Sequence, residues 1–130
     1  MKEIQVPISP GELLDKITIL RIKVVRMQDA AKLANVKLEL SLLEQTWRDA
    51  GCATPALAQE ERQLHDVNER LWDIEDRIRD KEARQTFDRE FIELARAVYV
   101  SNDERAAIKK RINARLGSRI VEEKSYKQYR

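Results

Sequence analysis

The stretch PALAQEERQLHDVNERLWDIEDRIRDKEARQTFDREFIELARAVYVSNDERAAIKKRINARLG, residues 55–117, begins with Pro55, ends with Gly117 and has no other proline or glycine. These are the two residues that most strongly stop a helix, so nothing in this half of the chain forbids one. A single helix over the whole span would be roughly 90 Å long at 1.5 Å per residue, too long for a compact domain. It must therefore break and fold back. Leu57, Leu64, Val67, Leu71, Ile74 and Ile78 step by threes, fours and sevens, a heptad-like seam suited to packing at a shallow crossing angle. Phe87, Phe91, Leu94, Ala95 and Val98 mark a second face, and Ile108, Ile112 and Leu116 a third. Ser101 followed by Glu104 has the form of a capping box and predicts a break at residues 100–103, with a weaker one at residues 86–88.

Upstream, Ser9, Pro10 and Glu12 fit the N-cap, first-turn proline and third-position glutamate of a helix start. Leu13, Ile17, Leu20, Val24 and Met27 then share one face. Asp29 and Asn35 are the weak points that follow. A second helix carries Val36, Leu40, Leu43, Trp47 and Ala50, with Gly51 placed to end it and Thr54–Pro55 to start the next. Ile4, Val6 and Ile8 alternate around Pro7, as in a short edge strand or an extended arm. The expected fold is all-α: one domain, residues 1–130, forming a bundle of about five helices, two of them long. An extended arm (residues 1–8) precedes it and a polar tail (residues 118–130) follows, with Ile120, Val121, Tyr126 and Tyr129 as the residues able to dock that tail.

Composition narrows the function. Of 130 residues, 42% are hydrophobic and 37% charged, too apolar for a disordered chain. The net charge is only +2, so nucleic acid is not an expected partner. Residues 101–130 do hold 9 Lys/Arg against 4 Asp/Glu, enough to meet an acidic partner. Cys52 is the only cysteine, which excludes an internal disulfide and a cysteine zinc site and points to the cytoplasm. No stretch approaches the ~18 apolar residues of a membrane span. The one histidine, His65, lies between Glu61 and Glu69 at spacings of four, where a metal array is conceivable but a solvated, salt-bridged histidine is the simpler reading. It cannot supply the two Glu-x-x-His pairs of a di-iron bundle. No metal, cofactor or catalytic residue is assigned.

Several segments together, SPGELLDKITIL (residues 9–20), LWDIEDRIR (71–79), FIELARAVYVSNDERAAIKKRIN (91–113) and EEKSY (122–126), resemble a bacterial family of small helical proteins known only as a domain of unknown function. The resemblance covers most of the chain. It implies a bacterial, helical, cytoplasmic protein and carries over no activity and no site residue.

Candidate binding residues come instead from misplaced charge. Arg21 falls inside the apolar stripe of the first helix, where an unpaired guanidinium costs several kcal/mol. Glu75 holds a comparable position on the third helix and is its expected partner, with Glu44 second. Arg79 lies one turn beyond Glu75. Asn102, Arg105 and Lys109 stand at the expected inter-helix turn, where an anion could bind. Ile19 and Ile22 on the first helix, and Leu38 and Leu42 on the second, lie opposite the main stripes. Such two-sided helices are central in a bundle or covered by another chain, and a homodimer through these residues is the expectation. The leading reading is a non-enzymatic module that homodimerises and binds a partner protein. The alternative is a small helical enzyme or binder for an anionic metabolite, with an Arg- and carboxylate-lined pocket between helices, as in helical chorismate mutases by analogy only. A weaker third is nucleic acid contact through the basic end.

Overall fold

The computed structural model describes residues 1–129, so Arg130, the last residue of the expected tail, lies outside the described residues. Helices α1 (Pro10–Arg26) and α2 (Ala30–Asp49) form one hairpin, and α3 (Ala58–Ala83) and α4 (Arg89–Arg115) a second. A 3-10 turn, Pro55–Leu57, leads into α3. The all-α class is therefore as expected, with four α-helices rather than five and no strand among the described residues. Residues 1–8 have no regular structure, and Ile4 and Val6 are exposed.

The helix starts follow their caps. Ser9 Oγ accepts the Glu12 amide at 3.2 Å, Asp29 accepts that of Lys32 at 2.9 Å, and Asp88 that of Phe91 at 3.0 Å. Gly51, at φ 75°, ends α2 in the left-handed region open to glycine. The fourth helix merges the expected fourth and fifth, because the break placed at residues 100–103 does not exist. Ser101 is buried inside continuous α4, and Glu104 reaches across to Arg70 on α3 rather than back to a cap. A serine and a glutamate three apart are equally at home within a helix, and no glycine or proline enforces a stop there. The chain turns at residues 84–88, where the weaker break was expected; there Gln85 adopts φ 52° and the Thr86 amide donates to the Lys81 carbonyl at 3.0 Å.

α1 is the central element. It packs on α2 along one side and on both α3 and α4 along the other. That accounts for its two apolar faces without a second chain: Ile22 is buried and Ile19 half-buried, which corrects the expectation that they await a dimer partner. Leu13, Leu14, Ile17, Trp47, Leu57, Leu64, Val67, Ile108 and Ile112 form the core. α2 packs chiefly on α1, burying only Val36 and Trp47, and Leu38 and Leu42 remain 63% and 45% exposed.

The tail runs over α4. Glu122 pairs with Lys109 at 3.0 Å, the Tyr129 hydroxyl donates to Asp103 at 2.6 Å, and the Tyr129 ring meets Tyr99 edge-on at 4.9 Å. Ile120, Val121 and Tyr126 stay exposed.

Gly11 sets how closely α1 approaches α4. A Cβ there would lie 2.5 Å from the Lys109 carbonyl oxygen and 2.8 Å from Asn113 Oδ1, and the Gly11 amide donates to that same Oδ1 at 2.7 Å. Gly11→Ala is therefore expected to destabilise by about 1–3 kcal/mol through overpacking, although alanine in an open helix gains roughly 0.5–1 kcal/mol over glycine. Thermal denaturation of the variant decides the sign.

Candidate functional site

The interior of the α1–α3–α4 junction is polar. Asp15, on α1, is 1% exposed, and a carboxylate so placed is tolerated only with full compensation. Arg105, from α4, supplies it bidentately: Nε donates to one carboxylate oxygen at 2.8 Å and Nη2 to the other. Asn68, from α3, donates from Nδ2 to Asp15 Oδ1 at 2.9 Å and to Thr18 Oγ1 at 3.0 Å, and the Thr18 hydroxyl donates to the Asp15 carbonyl at 2.8 Å. Burial pushes the Asp15 carboxyl up, but the hydrogen bonds from Arg105 and Asn68 and the charges of Arg105 and Lys109 outweigh it and hold the group below its usual range. The hydrogen bond to Asp15 in turn raises Arg105, which stays charged.

Beside this junction a cleft of about 420 Å3 opens between α1, α3 and α4, within the size range of small-molecule sites. Ile19, Leu71 and Trp72 give it apolar wall; Lys23, Asn68, Glu75, Asp76, Arg79, Asn102 and Arg105 line the rest. Arg79 Nε is 3.0 Å from Glu75 Oε2, an exposed pair one turn apart. Arg105 has five N–H donors, of which two serve Asp15 and one Asn102 Oδ1 at 3.3 Å, leaving two. Lys23 and Asp76 have no ion pair or side-chain hydrogen bond among the described residues.

Residues 4–129 match a family of unknown function, DUF6165. The chain belongs to this family. No curated protein and no solved structure matches it. Membership covers nearly the whole helical unit, arm and tail included, and brings no assigned residue with it, so the family's chemistry has to be read from side chains such as these.

The cleft unites Glu75, Arg79, Asn102 and Arg105, read separately from the sequence, and leaves out the other two candidates. Arg21 does not reach Glu75. It is clamped by Glu61 at 2.6 Å and Glu44 at 2.9 Å. Glu75 lies fourteen residues beyond Glu61 along α3, roughly 21 Å at the helical rise, which is why the expected pair does not form and the second choice, Glu44, does. Burial lowers the Arg21 pKa, but its two carboxylates more than offset this. Lys109 is consumed at the α1–α4–tail corner by Glu12 at 2.7 Å and Glu122 at 3.0 Å. In the basic end, Arg105, Lys109 and Arg115 are engaged with Asp15, Glu12 and Glu60 respectively. Around His65, Glu61 turns to Arg21 and Glu69 to Arg26, and no group of metal-binding side chains forms among the described residues. Burial raises the Cys52 thiol, which disfavours the nucleophilic thiolate.

Sequence reasoning missed Asp15 and Lys23. For Asp15 the available signal was the stripe Gly11, Asp15 and Thr18, spaced four and three: a small and polar line on the face that meets α3 and α4.

Asp15→Asn should cost about 3–5 kcal/mol, because it leaves Arg105 half-buried without its counter-charge. The depressed carboxyl fixes the pH sign. The stabilisation is complete above the unfolded value near 3.8 and is lost as pH falls through the lower folded value. Denaturant unfolding at neutral pH and below pH ~4 should show the wild type and the variant converging only in acid.

Proposed function

We propose that this chain is a helical binding module whose α1–α3–α4 cleft takes a small molecule bearing an anionic group. The observation that carries the reading is the geometry of Arg105. Its guanidinium is held rigid by Asp15, yet two of its N–H groups are left for a ligand beside the unpaired ammonium of Lys23. A preorganised guanidinium next to an apolar wall containing Trp72 is a low-entropy way to hold a carboxylate or phosphate. No reaction is assigned. A reducing cytoplasm is the compartment this reading takes, in keeping with a lone half-buried cysteine.

A titration of the 15N-labelled chain with small carboxylates and phosphate monoesters, amino acids included, tests it. Saturable shifts at Lys23, Trp72 and Arg105 are expected, and Lys23→Gln should weaken binding about tenfold, the worth of roughly 1.4 kcal/mol, without altering the melting temperature. A panel that moves none of these signals rejects the reading.

A second reading, a homodimer, is favoured by one observation. Leu38 and Leu42 stand one turn apart on the outer face of α2, exposed by 63% and 45%, on a helix otherwise covered only from the α1 side. Two such faces laid together would bury both leucines of each chain. Sedimentation of the wild type at rising concentration should show a dimer, and Leu38→Glu with Leu42→Glu should return it to monomer with its helical spectrum intact. A wild type that remains monomeric throughout removes this reading.

A further inference from the structure

The charges that line the cleft are not all available to a ligand, and those that remain are of opposite sign. Arg105 is neutralised by Asp15 and Arg79 by Glu75. What is left is one ammonium, Lys23, on α1, and one carboxylate, Asp76, on α3, neither with an ion pair or side-chain hydrogen bond among the described residues. Ile19, Leu71 and Trp72 line the same cleft.

We propose that the ligand of this cleft is zwitterionic: a free amino acid, or a molecule of that class, with an apolar or aromatic side chain. The proposal rests on the preceding reading of the cleft as a small-molecule site and names its ligand. A purely anionic ligand would satisfy Lys23 and the two spare N–H groups of Arg105 but bring like charge towards Asp76. A purely cationic ligand would pair with Asp76 and be repelled by Lys23. A molecule with both groups matches both, and its entry leaves the net charge of the cleft unchanged, which limits the desolvation cost of closing charge into a partly apolar space. The apolar wall then selects the side chain: an indole ring and two aliphatic residues favour an aromatic or branched apolar group over a polar one. The same arrangement discriminates against near neighbours by repulsion as well as attraction, since removal of either charge from the ligand leaves one protein charge facing an apolar or like-charged group.

The experiment uses the full chain, 15N-labelled, titrated with the proteinogenic amino acids, with their N-acetyl derivatives, which keep only the carboxylate, and with their amides, which keep only the ammonium. At least one apolar or aromatic amino acid should give saturable shifts at Lys23, Trp72 and Asp76. Its N-acetyl derivative and its amide should each bind about tenfold more weakly, as expected for loss of one charge pair. Asp76→Asn should abolish the preference over the N-acetyl derivative, and Lys23→Gln the preference over the amide. Neither side chain forms an ion pair or side-chain hydrogen bond among the described residues, and Asp76 feels only the longer-range charge of Arg26, so both variants should stay close to the wild-type melting temperature. An N-acetyl derivative that binds as tightly as its parent overturns the zwitterion and leaves the anion-binding cleft standing. An amide that binds as tightly as its parent, or the absence of any shift across the whole panel, overturns both.

Discussion

The carboxylate of Asp15 constrains the interior more than any apolar contact does. Apolar side chains tolerate displacement, because their attraction is non-directional and scales with area. A buried carboxylate does not. Its oxygens require donors at fixed distances, and here those donors come from two other helices, Asn68 on α3 and Arg105 on α4. The position of α1 relative to both is thereby set to within hydrogen-bond tolerance. The close approach this demands explains the other polar features of the junction. Gly11 is one helical turn before Asp15, and only a residue without Cβ lets α1 come near enough to the Lys109 carbonyl. Glu12 and Lys109 then close the adjacent corner, with Glu122 of the tail over them.

The same constraint separates a structural arginine from a site arginine. Arg21 and Arg105 both sit on helix faces that turn inward, and both are paired. Arg21 is held by two carboxylates, each from a different helix and each about a third exposed. The cluster carries a net negative charge and has no reason to recruit an anion; at such exposure its pairs are worth little individually and act mainly to fix how α2 and the start of α3 meet α1. Arg105 has one carboxylate, entirely buried behind it. Its rear edge is occupied and part of its front edge is open to the cleft. A guanidinium whose orientation is already paid for by internal contacts loses little freedom when a ligand arrives.

Much of the fold was legible because it rests on local signals. Ser9–Pro10, Asp29, Gly51 and Thr54–Pro55 all act where their chemistry placed them, and the face Val36–Leu40–Leu43–Trp47 does pack inward, whereas Asn35, expected as a second weak point, lies inside continuous α2. The misplaced break has an equally local cause. The pair Ser101 and Glu104 satisfies a capping pattern, but a pattern of two residues does not decide between a cap and a helix interior. The tertiary environment decided it by burying Ser101. At the true turn, left-handed backbone falls on Gln85, a residue with no preference for that conformation, so the signal at Thr86–Asp88 reads as the weaker of the two breaks although it is the real one.

The cleft was legible in its parts and not in its assembly. Glu75, Arg79, Asn102 and Arg105 each stood out as charge or polarity near an apolar stripe, yet nothing in the sequence relates α3 to α4 across the turn between them. Their register is fixed by long-range contacts, first the shared grip of Asn68 and Arg105 on Asp15, with the exposed pairs Arg70–Glu104 and Arg77–Glu90 following from it. Periodicity identifies which face of a helix is buried; it does not say at what height along the neighbouring helix a given residue arrives. That is why Arg21 found Glu61 rather than Glu75, and why Lys23, an unremarkable lysine by sequence, comes to share a cavity with Asp76. The functional content of this chain lies in that offset: the helices pair many of their charges with one another, and within the cleft the register leaves the Lys23 ammonium and the Asp76 carboxylate without an ion pair among the described residues, beside Ile19, Leu71 and Trp72.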